Sequence, residues 1–301
     1  MTWRQATRDE LRTFYQREFP HYLGLLPDHV TAQGPKEIGI AFDQSYPIKK
    51  DDAPPRDFIR RDTRLGSDGE RMKPAFTGMT EGSRPLVEFI QTPAAVDPLG
   101  DTSYGLVDPA LTDQQAPLPA AVYHSLACWE RSHIVAIDID AKDIAYERVT
   151  QDKDPTGTNR QTILQNSGVI DAPPAGFPYA FGDINQALRD GFAIREILEE
   201  DFAADETLVV YSGQGCHVYL LDDDSGHRYD TQSRDVLATL LTEQYGFTID
   251  RQVTVDSERL IRIPYSLHSE VCRMVQPIQS PDFEYRTKAK PTFLQEVSNA
   301  Q

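Results

Sequence analysis

Ile134-Val135-Ala136-Ile137-Asp138-Ile139-Asp140 is the stretch on which the reading of this chain turns. An apolar run this short, rich in β-branched Ile and Val, reads as a buried strand, and it ends in carboxylates. Side chains two apart on a strand share a face, so Asp138 and Asp140 project together from its C-terminal end. Two carboxylates forced together repel and raise each other's pKa unless a cation sits between them. Hard divalent ions such as Mg²⁺ or Mn²⁺ take oxygen ligands and suit a bridge between carboxylates and phosphates. A pair of Asp residues at a strand end also serves simply to solvate a turn, and in an Asp-rich chain that plain alternative stands beside the first.

Downstream of this strand the periodicity stays strong. Asp183 is expected to cap a helix in which Ile184, Ala187, Leu188, Ile194, Ile197 and Leu198 fall near one face. Thr207–Tyr211 and His217–Leu221 are β-rich runs joined by Ser212-Gly213-Gln214-Gly215-Cys216, a glycine-bearing hairpin connection. Thr231–Tyr245 reads as a helix stopped by Gly246, and Arg259–Ile263 as a strand closed by Pro264. The order β, α, β, β, α, β fits an α+β class, with a ferredoxin-like sheet under two helices. Between its first two elements, residues 141–180 carry Asp152, Asp154, Pro155, Gly157, Pro173, Pro174, Gly176 and Pro178, and are expected to be irregular.

Upstream the pattern is looser. Thr7 with Glu10 forms a capping-box pattern ahead of Leu11, Phe14 and Tyr15, in a helix expected to end near Phe19-Pro20. Ile38–Phe42 and Asp57–Arg61 read as strands, and within the Pro- and Gly-rich stretch 65–119 only Leu86–Ile90 and Tyr104–Val107 have strand character.

The chain has 301 residues, enough for one large domain or two small ones, and a formal net charge of −17. Its acidic residues are mostly Asp and its basic ones mostly Arg. Few Lys and many Asp are expected of a protein that stays hydrated in concentrated salt, since carboxylates hold water while Lys stems expose hydrocarbon. The charge taken alone argues against a nucleic-acid ligand. Cys128, Cys216 and Cys272 form no CxxC pair, which speaks against a disulfide framework and a cysteine zinc site. With no apolar run of membrane-spanning length and no signal peptide, the expected setting is cytoplasmic.

Two further clusters bear on chemistry. In Ser212-Gly213-Gln214-Gly215-Cys216-His217, successive N–H groups of a glycine turn are able to cradle phosphate, with Ser212 and His217 at its rim; an ordinary hairpin turn is the plain alternative. From Asp250 to His268 the chain offers Asp250, Asp256, Arg259, Arg262, Ser266 and His268 within nineteen residues. Arg262 and His268 suit a polyphosphate, because guanidinium presents a rigid fork of donors. Capping by Asp250 and surface ion pairs by the arginines would explain the same residues without a ligand.

Taken in order, the three clusters resemble the motifs of the archaeo-eukaryotic primase superfamily, most closely the small catalytic subunit of archaeal and eukaryotic DNA primases. Asp138 and Asp140 stand for its Asp-hydrophobic-Asp strand. Ser212–His217 stands for its Ser-Gly-Arg-Gly-hydrophobic-His turn. Asp250, Arg262, Ser266 and His268 stand for its third motif. Phe14–Pro20, Lys36-Glu37-Ile38-Gly39 and Ala121–Ser125 are similar to the family's opening helix, its Arg-Glu-Phe strand and the approach to its first motif.

The resemblance implies the primase catalytic (prim) fold: an N-terminal α/β module over 1–130, an RRM-like βαββαβ unit over 131–277 packed on it, and a tail over 278–301. It implies a nucleotidyltransferase that makes short primers on single-stranded DNA from nucleoside triphosphates, with a primase large subunit or a replicative helicase as further partners. Asp138, Asp140 and Asp250 would hold two Mg²⁺ or Mn²⁺ ions, with Asp256 as the substitute third ligand. Ser212, Gln214, Gly215, His217, Arg262, Ser266, His268 and Lys36 would bind the nucleotide. Two departures are visible. Gln214 replaces the family's Arg, and residues 141–204 contain no cysteine where the family's zinc knuckle lies, so no structural zinc is expected.

Overall fold

The computed structural model describes residues 4–27, 30, 37–46, 56–62, 118–128, 134–153, 178–222 and 229–294. Lys36, Leu86–Ile90 and Tyr104–Val107 lie outside the described residues. In chain order the elements begin with α1 (Arg8–Thr13), a π turn (Phe14–Glu18) and α2 (Phe19–Tyr22). Strands β1 (Glu37–Tyr46), β2 (Arg56–Asp62), β3 (Pro119–Ser125) and β4 (Val135–Asp140) follow, then helices α3 (Ala141–Lys153) and α4 (Phe181–Glu200). Next come β5 (Thr207–Tyr211), β6 (Gly215–Leu220), α5 (Thr231–Thr239) and α6 (Arg251–Val255). The chain ends in short pieces: β7 (Leu260–Arg262), β8 (Leu267–His268), β9 (Arg273–Met274), β10 (Gln276–Pro277) and α7 (Tyr285–Lys288). The class is α+β with antiparallel sheets, and among the described residues no helix is long and apolar enough to cross a membrane. The chain divides into two units, 1–134 with 258–276 and 285–301, and 135–257 with 277–284.

In the first unit the sheet order is β2-β1-β3-β7, antiparallel throughout. Ile38, Ile40 and Phe42 alternate into a core shared with Leu11, Phe14, Tyr15 and Phe19. The expected capping box is present, with the Thr7 hydroxyl accepting from Glu10 N–H and the Glu10 carboxylate from Thr7 N–H. The helical path runs past Pro20, beyond its expected end, because the proline falls in the first turn of α2 where its missing N–H costs no bond.

In the second unit β5, β6 and β4 pair antiparallel in that order, and the Ile278 N–H donates to the Val209 carbonyl at the outer edge of β5 (2.9 Å). Helix α4 lies on this sheet. At Gly191 it comes so close that a Cβ would strike the Cys216 sulfur, so only glycine permits the approach. Asp183 sits inside the first turn instead of capping it, its carboxylate accepting from Ala180 N–H (2.7 Å) and paired with Arg148. The Gly246 stop holds, with φ +75°.

Two expectations are corrected. Residues 141–153 are helical: Ala141, Lys142, Ala145, Glu147 and Arg148 are good helix formers, Asp152 falls only in the last turn, and the first proline is Pro155. The strand at Leu260–Arg262 does not complete a βαββαβ sheet in the second unit. It pairs with β3 instead, Arg262 opposite Tyr123. On the edge of β4 away from β6 the described residues make a single bridge, Asp138 to Asp250, because the Asp250 side chain caps α6 and turns the chain into helix at that point.

Candidate active site

The second unit brings the first carboxylates together through strand register. Asp138 lies opposite His217 and Asp140 opposite Gly215 in the β4–β6 pair. His217 Nε2 is 3.6 Å from Asp138 Oδ1. His217 is buried, with Nδ1 3.4 Å from the Tyr219 hydroxyl. The third carboxylate arrives by a different route: the Asp250 N–H donates to the Asp138 carbonyl (2.8 Å), and Asp250 Oδ1 accepts from the N–H groups of Gln252 (2.9 Å) and Val253 (3.4 Å). Asp250 is thus fixed by its backbone and by one of its two carboxylate oxygens. Asp256, at the other end of α6, is exposed and faces Arg234.

The Ser212–Gly215 turn is sewn to the end of β4. Gly213 has φ +108°, the Ser212 N–H donates to the Gly215 carbonyl (3.1 Å), and the Ala141 N–H donates to the Gln214 carbonyl (3.0 Å). The Ser212 hydroxyl is buried and makes no hydrogen bond among the described residues. Gln214 is half-buried. At Gly215 a Cβ would fall on the Ile139 carbonyl oxygen, so the turn and the carboxylate strand touch backbone to backbone.

The electrostatics are strongly anionic. Burial pushes the Asp138 carboxyl well above the usual range, and the charges of Asp140, Asp250 and Asp143 add to the shift against the pull of Lys142. Asp143 is raised to about 7, by burial first and then by Asp140 and Asp250, with Lys142 opposing. Asp138 Oδ1 is buried with no hydrogen-bond partner among the described residues. The ammonium of Lys142 is in ion contact with Asp140. A buried carboxylate oxygen that accepts no hydrogen bond among the described residues, with only the His217 ring nearby and like charges around it, fits a hard divalent cation. As the side chains stand, no three His, Cys, Asp or Glu groups among the described residues are arranged to hold an ion, with Asp140 turned onto Lys142. Lys142 and Asp143 were missed in the sequence because their segment reads as irregular; as the first turn of a helix directly after Asp140 they are bound to lie beside it.

The first unit carries the remaining candidates. Arg262 on β7 places its guanidinium 5.4 Å above the Tyr123 ring, and its Nε is buried without a hydrogen-bond partner among the described residues. Ser266 and His268 are buried. Between them and Arg262, Tyr265 has φ +65°, a left-handed conformation that costs a non-glycine residue about 1–2 kcal/mol and is held by stacking on Tyr22, ring centroids 5.8 Å apart. The Tyr15 hydroxyl bonds the Leu267 backbone from below (3.4 Å).

Curated relatives carry primase names. The DNA primase small subunit PriS of Sulfurisphaera tokodaii is 26% identical over 189 residues, 56% of this chain and 58% of the relative. That of Thermococcus onnurineus is 29% identical over 136 residues, 42% of this chain and 33% of the relative. An uncharacterized DNA primase small subunit-like protein of Archaeoglobus fulgidus is 35% identical over 89 residues, 29% of this chain and 30% of the relative. The matched stretches span from 30% to 58% of each relative's length, less than two thirds in every case. No protein-family model matches the chain. The resemblance to archaeo-eukaryotic primases drawn from the motifs is borne out by these relatives, at low identity.

Proposed function

We propose that this chain, similar to archaeal primase small subunits, is a template-directed nucleotidyltransferase that makes short primers on single-stranded DNA from nucleoside triphosphates. The observation that carries the reading is the meeting of Asp138 and Asp250 through the 2.8 Å backbone bond, with Asp140 on the same strand face. Asp138, Asp140 and Asp250 would hold Mg²⁺ or Mn²⁺. Such ions, when bound, supply charge stabilisation to both the attacking and the leaving oxygen of a phosphoryl transfer.

The chain's own residues supply the rest. His217 stands across the strand pair from Asp138 as a donor to phosphate, and the buried Ser212 hydroxyl is a donor without another task. Gly215 keeps the turn against β4. Arg262, Ser266, His268 and Lys36 are assigned to the nucleotide on the resemblance alone, as is the prim fold. A large subunit or a helicase belongs to the same reading, as does work in concentrated salt, where a Debye length of about 3 Å leaves only close contacts to act.

Purified chain incubated with single-stranded template, labelled nucleotides and Mg²⁺ or Mn²⁺, at low and at molar KCl, should yield short oligomers, and Asp138→Ala with Asp140→Ala should yield none. Absence of product from the wild type, or product from the double variant, would sink the reading. A second reading, nucleotide and DNA binding with little catalysis, is favoured by Gln214, which lacks the charge of the usual Arg. Nucleotide binding without oligomers, together with a gain of synthesis in Gln214→Arg, would select it.

A further inference from the structure

We propose that Lys142 is an internal counter-cation: in the ion-free chain its ammonium holds Asp140, and an arriving divalent ion displaces it. The inference rests on the metal-site reading above and concerns how that site is kept when empty. Lys142 contacts Asp140 directly and lies 3.9 Å from Asp143 Oδ1. It is the second residue of α3, where unpaired helix N–H groups favour anions and disfavour an ammonium. Its position is therefore explained by the carboxylates around it and not by the helix it belongs to.

The geometry allows an exchange. Asp250 is tied down by its N–H and its Oδ1, and Asp138 is set by the strand. Asp140 is the one carboxylate of the three whose visible partner is a mobile point charge on a four-carbon stem. Its side chain is one fifth exposed and that of Lys142 one third, so the pair opens without unpacking the core. On exchange the ion takes Asp140, and the ammonium moves toward Asp143, already in reach, or to water. The site then gains two positive charges and releases one, against the surrounding carboxylates.

Binding of Mn²⁺ followed by electron paramagnetic resonance tests this on the intact chain. Lys142→Gln should tighten Mn²⁺ binding by about fivefold, the equivalent of about 1 kcal/mol, for a pair one third and one fifth exposed. Lys142→Arg, which keeps the charge, should stay within about twofold of wild type. Circular dichroism checks that both variants fold. A second readout is specific to displacement: Mg²⁺ should increase reductive methylation of Lys142, read by mass spectrometry, in the wild type and not in Asp138→Asn. Mn²⁺ binding that depends on Asp138 but is not tightened in Lys142→Gln, or methylation indifferent to Mg²⁺, overturns the counter-cation and leaves the metal site standing. No Mn²⁺ binding in either wild type or Lys142→Gln overturns both.

Discussion

Gly215→Ala adds one methyl group where the nucleotide turn meets the carboxylate strand. The new Cβ would fall on the Ile139 carbonyl oxygen, with the Ile139 carbonyl carbon 3.0 Å away and the Asp140 Cα 3.1 Å away. All three atoms are backbone, so no rotamer relieves the contact. The β4–β6 pair must open at Asp140–Gly215, the last pair of the ladder. Overpacking of this kind costs about 1–3 kcal/mol. Opening also strains the bonds from Ser212 N–H to Gly215 and from Ala141 N–H to Gln214, each contributing about 1 kcal/mol. A total of about 3 kcal/mol lowers the melting temperature by about 6–12 °C. Thermal unfolding followed by far-ultraviolet circular dichroism reads it, with Gly182→Ala as the control. Gly182 lies in the first turn of α4 with nothing within 4 Å of a Cβ, and the change to alanine should leave stability equal or raise it by up to about 1 kcal/mol. A Gly215→Ala variant melting within about 2 °C of wild type would refute the reasoning, since that corresponds to no more than about 1 kcal/mol.

Two further outcomes follow from buried charge. His124 is fully buried on β3, and burial lowers its pKa from 6.5 to about 4 against the pull of the Ser125 carbonyl. The unfolded chain takes up that proton first, so the stability involved is present above about pH 6.5 and is lost as the pH falls toward 4, by about 3 kcal/mol. The difference in urea midpoint between wild type and His124→Gln should shrink across that window, and parallel decline of the two would disprove it. Asp138 has the opposite sign: its carboxyl is raised by burial and then by Asp140 and Asp250, so its ionised form weakens the ion-free fold at neutral pH. Asp138→Asn should raise the ion-free melting temperature and abolish any further rise on adding Mn²⁺; a lower ion-free value would mean that the charge at Asp138 is stabilising.

The elements that could be read from the sequence are those whose signal is local. β4 is an apolar run, α4 has a one-sided spacing, and the Ser212–Gly215 turn and the Gly246 stop use glycines at φ +108° and +75°. What escaped depends on neighbours distant in the chain. α3 has few large apolar residues and stands just ahead of Asp154-Pro155-Thr156-Gly157, so its helix is hidden by the segment that follows. Leu260–Arg262 spans only three residues, and nothing in three residues says whether they pair with β3 or β4. The first two carboxylates follow from strand alternation alone. The third needs a bridge across more than a hundred residues of chain, so the resemblance could name Asp250 with Asp256 as its substitute, but the sequence could not display the backbone bond that sets Asp250 beside Asp138.

That bond also ranks the three carboxylates by freedom. Asp138 has a strand on one side and the Asp250 bridge on the other, and Asp250 has its amide and one oxygen engaged. These two form a rigid pair, and preorganised ligands lose little entropy when an ion arrives. Asp140, last on its strand and paired with Lys142, is the adjustable member. The carboxyl of Asp138 is raised by burial and then by repulsion from Asp140 and Asp250, and a cation set beside it relieves that repulsion. Lys142 removes part of it without an ion. On the proposed metal-site reading a divalent cation would remove more, and the difference between the two would drive the exchange at Asp140.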